Sequence, residues 1–290
     1  MGNNCECSGA REQFYDKSQK GKELYGRVSK SAKKKYSYAR LKLKGYKFNN
    51  NQDDSETQKI TQMENNIALV SVALDDFEQR LTDFYIKEKT NKMTIPQVVE
   101  CFKSNQFLDD IIDETTFSRK ILTHKVLSNT KNTIYLPYLR LLGILICAST
   151  PKMKAEAFYK ILQPEDLDSR DQPNKTTDIL KSEVLIPEYF EKMLEISYVL
   201  MIDIYSHMDG GEDKTSWIID ELEDIYKEVY DVFLKDVFGN DQDRLSQEVF
   251  CQLFEKDLSR YLMPIELRRM VFSQVVEIVF SKVTPTKDRS

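Results

Sequence analysis

Apolar residues recur along the middle of the chain at the spacing of a helix face. Phe77, Leu81 and Tyr85 follow one another every four residues, which places all three on one side of an α-helix. A second such face begins at Val98, shortly after Pro96, and proline is tolerated at the start of a helix but not inside it. The pattern therefore predicts two helices separated by a short break.

The break between these two helices recurs three more times along the chain. Each copy has a polar centre, then an apolar residue, and then the start of another apolar helix face. Irregular distances between the copies argue against a solenoid and favour helix–loop–helix units that carry insertions. The four copies span residues 86–99, 127–140, 177–190 and 238–251, and the apolar residues at their eighth positions are Met93, Ile134, Val184 and Leu245.

A twelve-residue loop between two helices is the frame of an EF-hand. The chain resembles the EF-hand superfamily over about residues 70–265, in particular neuronal-calcium-sensor, potassium-channel-interacting and calcineurin-B-like proteins. Residues 139–162 are similar to the central linker of these proteins with its flanking helices, and residues 189–202 to the helix that leaves their third hand. The resemblance implies that residues at position 8 of paired loops meet through a short β-bridge.

This resemblance implies an all-α fold with two lobes of paired EF-hand-like helix–loop–helix units, preceded by a basic N-terminal arm. A polar stretch between the arm and the first helix face favours a linker. The predicted boundaries are 1–50 for the arm, 51–66 for the polar linker, 67–150 for the N-terminal pair and 151–290 for the C-terminal pair with insertions.

The four loops lack most of the oxygen ligands that Ca²⁺ requires. A binding loop supplies oxygens from positions 1, 3 and 5 and a bidentate glutamate from position 12. In these frames only the third unit has a glutamate at position 12, Glu188, and its positions 3 and 5 are Ile179 and Lys181. We therefore predict no tight Ca²⁺ binding, with Glu188 as a weak candidate ligand, and we expect no cofactor.

Paired EF-hand lobes usually leave an apolar groove that accepts an amphipathic helix from a partner protein. The alternative for each apolar residue of this kind is a place in the ordinary core. The resemblance implies a partner groove lined by Val98, Phe102, Leu139, Leu142, Ile146, Phe158, Phe190 and Met193.

Charge is divided unevenly along the chain, whose net charge is −5. Residues 1–50 contain thirteen Lys/Arg and four Asp/Glu, whereas the remaining residues contain 29 and 43. A basic arm on an acidic body indicates that the arm meets an anionic surface. The body does not have the charge of a nucleic-acid binder, and no nucleic-acid partner is expected.

The first nine residues, MGNNCECSG, have features of a lipid-anchored N-terminus. Removal of Met1 would expose Gly2 for N-myristoylation, although Glu6 stands where the usual pattern has Ser or Thr. One myristoyl chain binds a membrane only marginally, so stable anchoring needs a second signal. Cys5 and Cys7 are candidate sites for further acyl chains.

A cluster of basic and aromatic residues provides another membrane signal within the arm. Each Lys or Arg near an anionic leaflet contributes about 1 kcal/mol to binding. The alternatives are a solvated tail, a nuclear-import-like patch, or binding to an acidic polymer such as nucleic acid or a microtubule. The candidate membrane-binding residues are Lys33, Lys34, Lys35, Arg40, Lys42 and Lys44.

Other functional classes find little support in the sequence. No apolar run reaches the roughly 18 residues of a membrane-spanning helix, the N-terminus is too polar for a secretory signal, and five scattered cysteines fit a reducing compartment. Neither His124 nor His207 belongs to a nucleophile–acid pattern, and the GxSxG, P-loop and GxGxxG motifs are missing.

We therefore expect a non-enzymatic cytoplasmic protein, attached to a membrane by its lipid anchor. It would act as an adaptor or regulatory subunit that binds a partner helix independently of calcium. Two alternatives remain open. One is a calcium sensor with a residual site in the third unit, and the other is a structural protein whose arm binds a microtubule or a similar acidic polymer.

Overall fold

The computed structural model describes residues 55–103, 107–130, 133–163, 178–183, 185–201, 203–204, 218–240 and 242–280. In this part of the chain helices predominate, and each strand is two or three residues long, which confirms the predicted all-α class. The helices before the chain midpoint are α1 (Ser55–Asn65), α2 (Leu74–Glu88), α3 (Ile95–Cys101), α4 (Phe107–Ile112), α5 (Phe117–Thr123) and α6 (Leu136–Ile146).

The second half has longer helices and a change of helix type. A π-helix, Ile196–Leu200, continues directly from the helix before it. Two short 3₁₀ turns, Ala68–Ser71 and Ser259–Leu262, connect other helices. The remaining α-helices are α7 (Pro151–Leu162), α8 (Leu185–Glu195), α9 (Ile218–Phe238), α10 (Gln247–Lys256) and α11 (Pro264–Phe280), and the strands are β1 (Lys92–Thr94), β2 (Ser128–Thr130), β3 (Thr133–Tyr135), β4 (Ile179–Leu180) and β5 (Arg244–Leu245).

The first two predicted loops meet in the register that the sequence predicts. Strand β1 runs antiparallel to β3 with Met93 opposite Ile134, and both side chains are fully buried. Beside this pair, the backbone N–H of Leu136 donates to the carbonyl of Asn91 at 2.7 Å. Two loops that lack long strands are thereby joined through paired backbone groups and two buried apolar side chains.

The other two loops also pair, but through a residue different from the one predicted. Strand β4 runs antiparallel to β5 with Ile179, not Val184, opposite Leu245. The N–H of Lys181 donates to the carbonyl of Asp243 at 2.8 Å, in the same relation to the strands as the bond between Leu136 and Asn91. The prediction was wrong because Pro187 was aligned with the prolines of the earlier units, whereas extra residues here separate the strand from its helix.

The predicted polar linker, residues 51–66, is also wrong over most of its length. Residues 55–65 form helix α1, and Ile60 and Met63 are buried on one of its faces. This helix was not predicted because the segment has only two apolar residues among many polar ones, and its mean hydropathy is therefore low. Its buried face is completed by Glu64, a charged residue that pattern analysis assigns to the surface.

A single glycine allows two helices of the core to approach closely. Gly143 of α6 lies against the ring of Phe77 on α2, where an added Cβ would stand 2.3 Å from Cε1. Phe77 also stacks on Phe102, whose ring meets Phe107 edge to face. This contact places α2 against α6, the helix from which three of the predicted groove residues come.

Helix α6 also packs against α7 and α8, so helices from the two predicted halves of the body contact each other. A second aromatic cluster lies in the C-terminal half, where Phe190 stacks on Phe233 and both meet Tyr261 edge to face. The boundary at residue 150 stays a prediction. Among the described helices, none combines the length and apolar character that crossing a bilayer requires.

Candidate helix-binding site

The structure buries every residue of the predicted partner groove. None of the eight exposes more than 7% of its surface, the value for Ile146, so the predicted groove is filled by the chain's own side chains in this conformation. The residues lie on or directly after four helices: Val98 and Phe102 at α3, Leu139, Leu142 and Ile146 on α6, Phe158 on α7, and Phe190 and Met193 on α8.

The helix that contains Phe190 and Met193 changes its hydrogen-bonding pattern immediately afterwards. The π-helix Ile196–Leu200 widens the turn, and segments of this kind often occur at functional sites. The carbonyl of Ser197 accepts a hydrogen bond from Nη1 of Arg268 on α11 at 3.1 Å. Arg268 therefore binds a backbone group of the π-helix from within the protein, since its own side chain is fully buried.

Arg268 also forms a two-pronged ion pair with α1. Its Nη2 donates to Oε2 of Glu64 at 2.7 Å, its Nη1 donates to Oε1, and Nη2 lies 3.4 Å from the hydroxyl of Thr61. The Glu64 side chain is only 8% exposed. A buried charge is tolerated only when it is paired, so the guanidinium and the carboxylate depend on each other. Together they fix α1, the π-helix and α11 at one point.

A second polar contact lies six residues further along the chain from Ser197. Nε2 of His124, at the end of α5, lies 2.9 Å from Oδ2 of Asp203, and both side chains are nearly buried. Nδ1 of His124 accepts from the backbone N–H of Val126 at 3.2 Å. The proton therefore resides on Nε2, which donates to the carboxylate, and the contact ties α5 to the segment after the π-helix.

Glu188, the weak candidate for a metal ligand, contacts a tyrosine instead. The hydroxyl of Tyr138 donates to Oε1 of Glu188 at 3.3 Å, and Nζ of Lys192 lies 4.6 Å from the centre of the Tyr138 ring. Burial, followed by the negative charge of Glu188, raises the pKa of Tyr138 to about 12. Within the described ranges, no three His, Cys, Asp or Glu side chains are grouped as metal ligands would be.

The remaining predicted site residues lie outside the part of the chain that the structure describes. These are the lipidation candidates Gly2, Cys5 and Cys7 and the basic residues Lys33, Lys34, Lys35, Arg40, Lys42 and Lys44.

The sequence did not identify Glu64 and Arg268, whose ion pair holds α1, the π-helix and α11 together. One signal was present in the spacing of Ile60, Met63 and Glu64, which lie three and four residues apart and share a helix face. Another was an arginine between Leu267 and Val271, two residues that belong to the core.

No model of a known protein family matches the sequence, and a search of curated proteins finds no similar one.

Proposed function

We propose that this protein is a non-catalytic adaptor whose helical body consists of paired EF-hand-like units and binds an amphipathic helix of a partner protein. The observation that carries the proposal is the repeated geometry of the two strand pairs. Met93 opposes Ile134, and Ile179 opposes Leu245, each in a short antiparallel pair between helices. EF-hands couple in this way, and coupled hands commonly serve to bind helices.

The backbone bonds beside the strand pairs support the same interpretation. Leu136 lies two residues after Ile134 and donates to Asn91, which lies two residues before Met93. Lys181 lies two residues after Ile179 and donates to Asp243, which lies two residues before Leu245. Both pairs repeat the bond at the same offsets, although β3 also pairs with β2 on its other side, and this repetition supports the proposal of one repeated unit.

Side chains near the expected ligand positions have structural roles, which favours an adaptor that works without calcium. Gln97, at position 12 of the first loop, closes a capping box by accepting from the N–H of Thr94 at 2.8 Å. Position 12 of the second loop is Tyr138, which donates to Glu188. Position 12 of the fourth loop is Val249, whose N–H donates to the Ser246 side chain that caps α10.

The partner test uses the full-length protein purified from its own cells with bound proteins retained. After lysine-directed cross-linking, we expect one abundant partner to be joined through a helical segment to an exposed lysine of the helices α2 to α11. The complex should persist in a calcium chelator. If no stoichiometric partner is recovered, or if all cross-links fall within residues 1–50, the result would contradict an adaptor that uses its helical body.

The membrane part of the proposal is that lipids on Gly2, Cys5 and Cys7, together with the basic arm, hold the adaptor at an anionic membrane. Two weak signals are needed because one acyl chain gives only marginal binding. We expect Gly2→Ala to move the protein from the particulate to the soluble fraction of a cell lysate. If it remains particulate and follows polymerised microtubules, the arm binds an acidic polymer instead.

A calcium sensor is the second candidate, because the observed strand register moves the frame of the third loop. With Ile179 at position 8, the loop covers residues 172–183 and position 12 becomes Glu183. The sequence then has Asn174 and Thr176 at positions 3 and 5, where oxygen ligands are required. Position 1 is Gln172 rather than the usual aspartate, which weakens the set.

The shifted frame gives the calcium test a matched pair of variants. Isothermal titration of the full-length protein with Ca²⁺ separates the candidates. For an adaptor without a site, the wild type and both variants, Glu183→Gln and Glu188→Gln, give no saturable heat. For a sensor, the wild type gives saturable heat that Glu183→Gln abolishes and Glu188→Gln preserves.

A further inference from the structure

Helix α1 has the form of a ligand helix seated on the body. Among the side chains of α1 that the structure describes, Ile60, Met63 and Glu64 are buried, whereas Lys59 and Gln62 are exposed. The helix has 11 residues, and helices of this length are marginal by themselves in water. Its helical state therefore depends on the surface against which it lies.

The side chain of Arg268 on α11 binds α1, and it is also held by a hydrogen bond within the body. The Nη1 bond from Arg268 to the carbonyl of Ser197 lies within the body, on the side of the π-helix. The two bonds to Glu64 come from the same guanidinium. An arginine held in this way presents a planar fork that matches a carboxylate, and a point charge could not reproduce this geometry.

Removal of α1 would leave the Arg268 guanidinium without its carboxylate partner. Leu267 and Val271, on the same helix as Arg268, are both fully buried. A replacement helix therefore has to supply a carboxylate as well as apolar side chains, because an unpaired buried charge is strongly unfavourable. Thr61 adds a weaker hydrogen bond at 3.4 Å and is the less important element of the pattern.

We propose that the surface beneath α1 is the binding site for a partner helix, and that α1 is its resident occupant. The partner presents a glutamate to Arg268, with apolar residues four and one positions before the glutamate, as Ile60 and Met63 precede Glu64. This inference rests on the proposed adaptor function and specifies both the site and the chemistry of its ligand. The partner helix and α1 compete for this site, so the partner binds only when α1 is displaced.

Competition with a tethered helix sets the conditions for the test. A segment joined to its own site acts at an effective concentration on the order of millimolar, so an external peptide binds the wild type poorly. The probe is a fluorescently labelled peptide of residues 55–67, SETQKITQMENNI, and binding is followed by anisotropy. The proteins are the full-length wild type and the variant Ile60→Ser/Glu64→Gln, whose own α1 is weakened.

We expect the peptide to bind the weakened variant about tenfold or more tightly than the wild type. A peptide that carries Glu64→Gln should lose about tenfold or more in affinity, as expected for a lost charged hydrogen bond. The control protein is Glu78→Gln, which breaks the part-buried pair of Glu78 with Arg140 at 2.6 Å and leaves α1 intact. It should bind the peptide no better than the wild type.

The inference is overturned if the folded variant does not bind the peptide, or if the native and Glu64→Gln peptides bind it equally well. Should the variant fail to fold, the milder full-length variant Glu64→Gln replaces it, since its α1 lacks the charged partner of Arg268. This protein has to bind the native peptide more tightly than the Glu64→Gln peptide, and any other preference also overturns the inference.

The results separate this inference from the proposed function. If the peptide binds in a carboxylate-dependent way but no partner protein is cross-linked, the inference about α1 and its site is supported and the proposed adaptor function is contradicted. A partner cross-linked to the body, combined with a peptide that does not bind, would keep the adaptor and place its site elsewhere.

Discussion

Arg268 and Glu64, 204 residues apart in the chain, form a two-pronged ion pair in the interior of the protein. The arginine is fully buried, and the carboxylate is nearly so. The pair joins the first and the last helices that the structure describes. Its guanidinium also binds the carbonyl of Ser197 in the π-helix, so that one side chain serves three segments.

Loss of one partner of this pair should be more harmful than loss of both. We expect Glu64→Gln and Arg268→Met each to lower the free energy of unfolding by about 3 kcal/mol, because each leaves a buried polar group without its counterpart. The double variant Glu64→Leu/Arg268→Met should lose less than either single variant, because it removes both buried charges together. Urea denaturation of the full-length protein measures all of these values.

The neighbouring pair of Arg269 and Glu266 provides the control for this cycle. Both side chains are substantially exposed, at 50% and 30%. Exposed pairs contribute little, so Glu266→Gln should change the free energy of unfolding by about 0.5 kcal/mol or less. Equal losses at Glu64 and Glu266 would contradict the central role assigned to the buried pair.

Gly143 should tolerate no side chain. We expect Gly143→Ala to destabilise the protein by about 2 kcal/mol, because a Cβ 2.3 Å from the Phe77 ring forces a closely packed core apart. Thermal denaturation checks the value. The control is Gly239→Ala, where open space surrounds the Cβ and only the positive φ of 63° is unfavourable, by about 1 kcal/mol.

A second substitution makes the Gly143 prediction specific. Phe77→Leu removes the ring atoms that the new methyl group would meet, at the cost of a cavity when it is introduced alone. In the Gly143→Ala background, Phe77→Leu should therefore destabilise the protein less than it does in the wild type. Additive losses would indicate that the methyl group meets something other than the Phe77 ring.

His124 should be found in one tautomer whenever its ring is neutral. Nδ1 accepts from the N–H of Val126 and Nε2 faces the Asp203 carboxylate, so the proton belongs on Nε2. Long-range ¹H–¹⁵N correlation spectra of the ring distinguish the two nitrogens. A proton on Nδ1 would contradict the bond from Val126 and, with it, the contact between α5 and the segment after the π-helix.

The sequence predicted what depends on local pattern and missed what depends on distant partners. Met93 and Ile134 were predicted as a pair because the local pattern identifies them as the eighth residues of their loops, and the resemblance to EF-hands implies that such residues meet. The equivalent pair of Ile179 with Leu245 was missed, since apolar residues occur at both 179 and 184 and only the fold selects between them. Chain insertions shift the register without changing the pattern.

The ion pair of Arg268 with Glu64 could not be predicted from local sequence pattern, for a different physical reason. A charged residue is normally assigned to the surface, and its burial can be recognised only together with the counter-charge that makes it tolerable. That counter-charge, Glu64, lies in a segment that the polar composition identified as a linker. The apolar candidates for a groove were recognised as buried types, but the sequence could not distinguish a closed interior from an open groove.

Lys154 should make the stability of the protein depend on pH in the alkaline range. Burial lowers its pKa to about 8, and its Nζ donates to the carbonyl of Leu145 at 3.0 Å. The unfolded chain holds the same proton up to a pKa of about 10.4. Below pH 8 both states are protonated, and the folded state bears the full penalty of a buried charge.

Between these two pKa values the unfolded state binds more protons than the folded state, so the contribution of Lys154 to stability rises with pH. We expect Lys154→Met to exceed the wild type in free energy of unfolding most clearly at pH 7, and this excess should shrink by about 3 kcal/mol by pH 10.4. Urea denaturation at a series of pH values gives the difference.

Lys154→Arg, which stays charged throughout, should show a constant difference from Lys154→Met over the same range. A constant difference between the wild type and Lys154→Met would instead show that the amine titrates alike in both states.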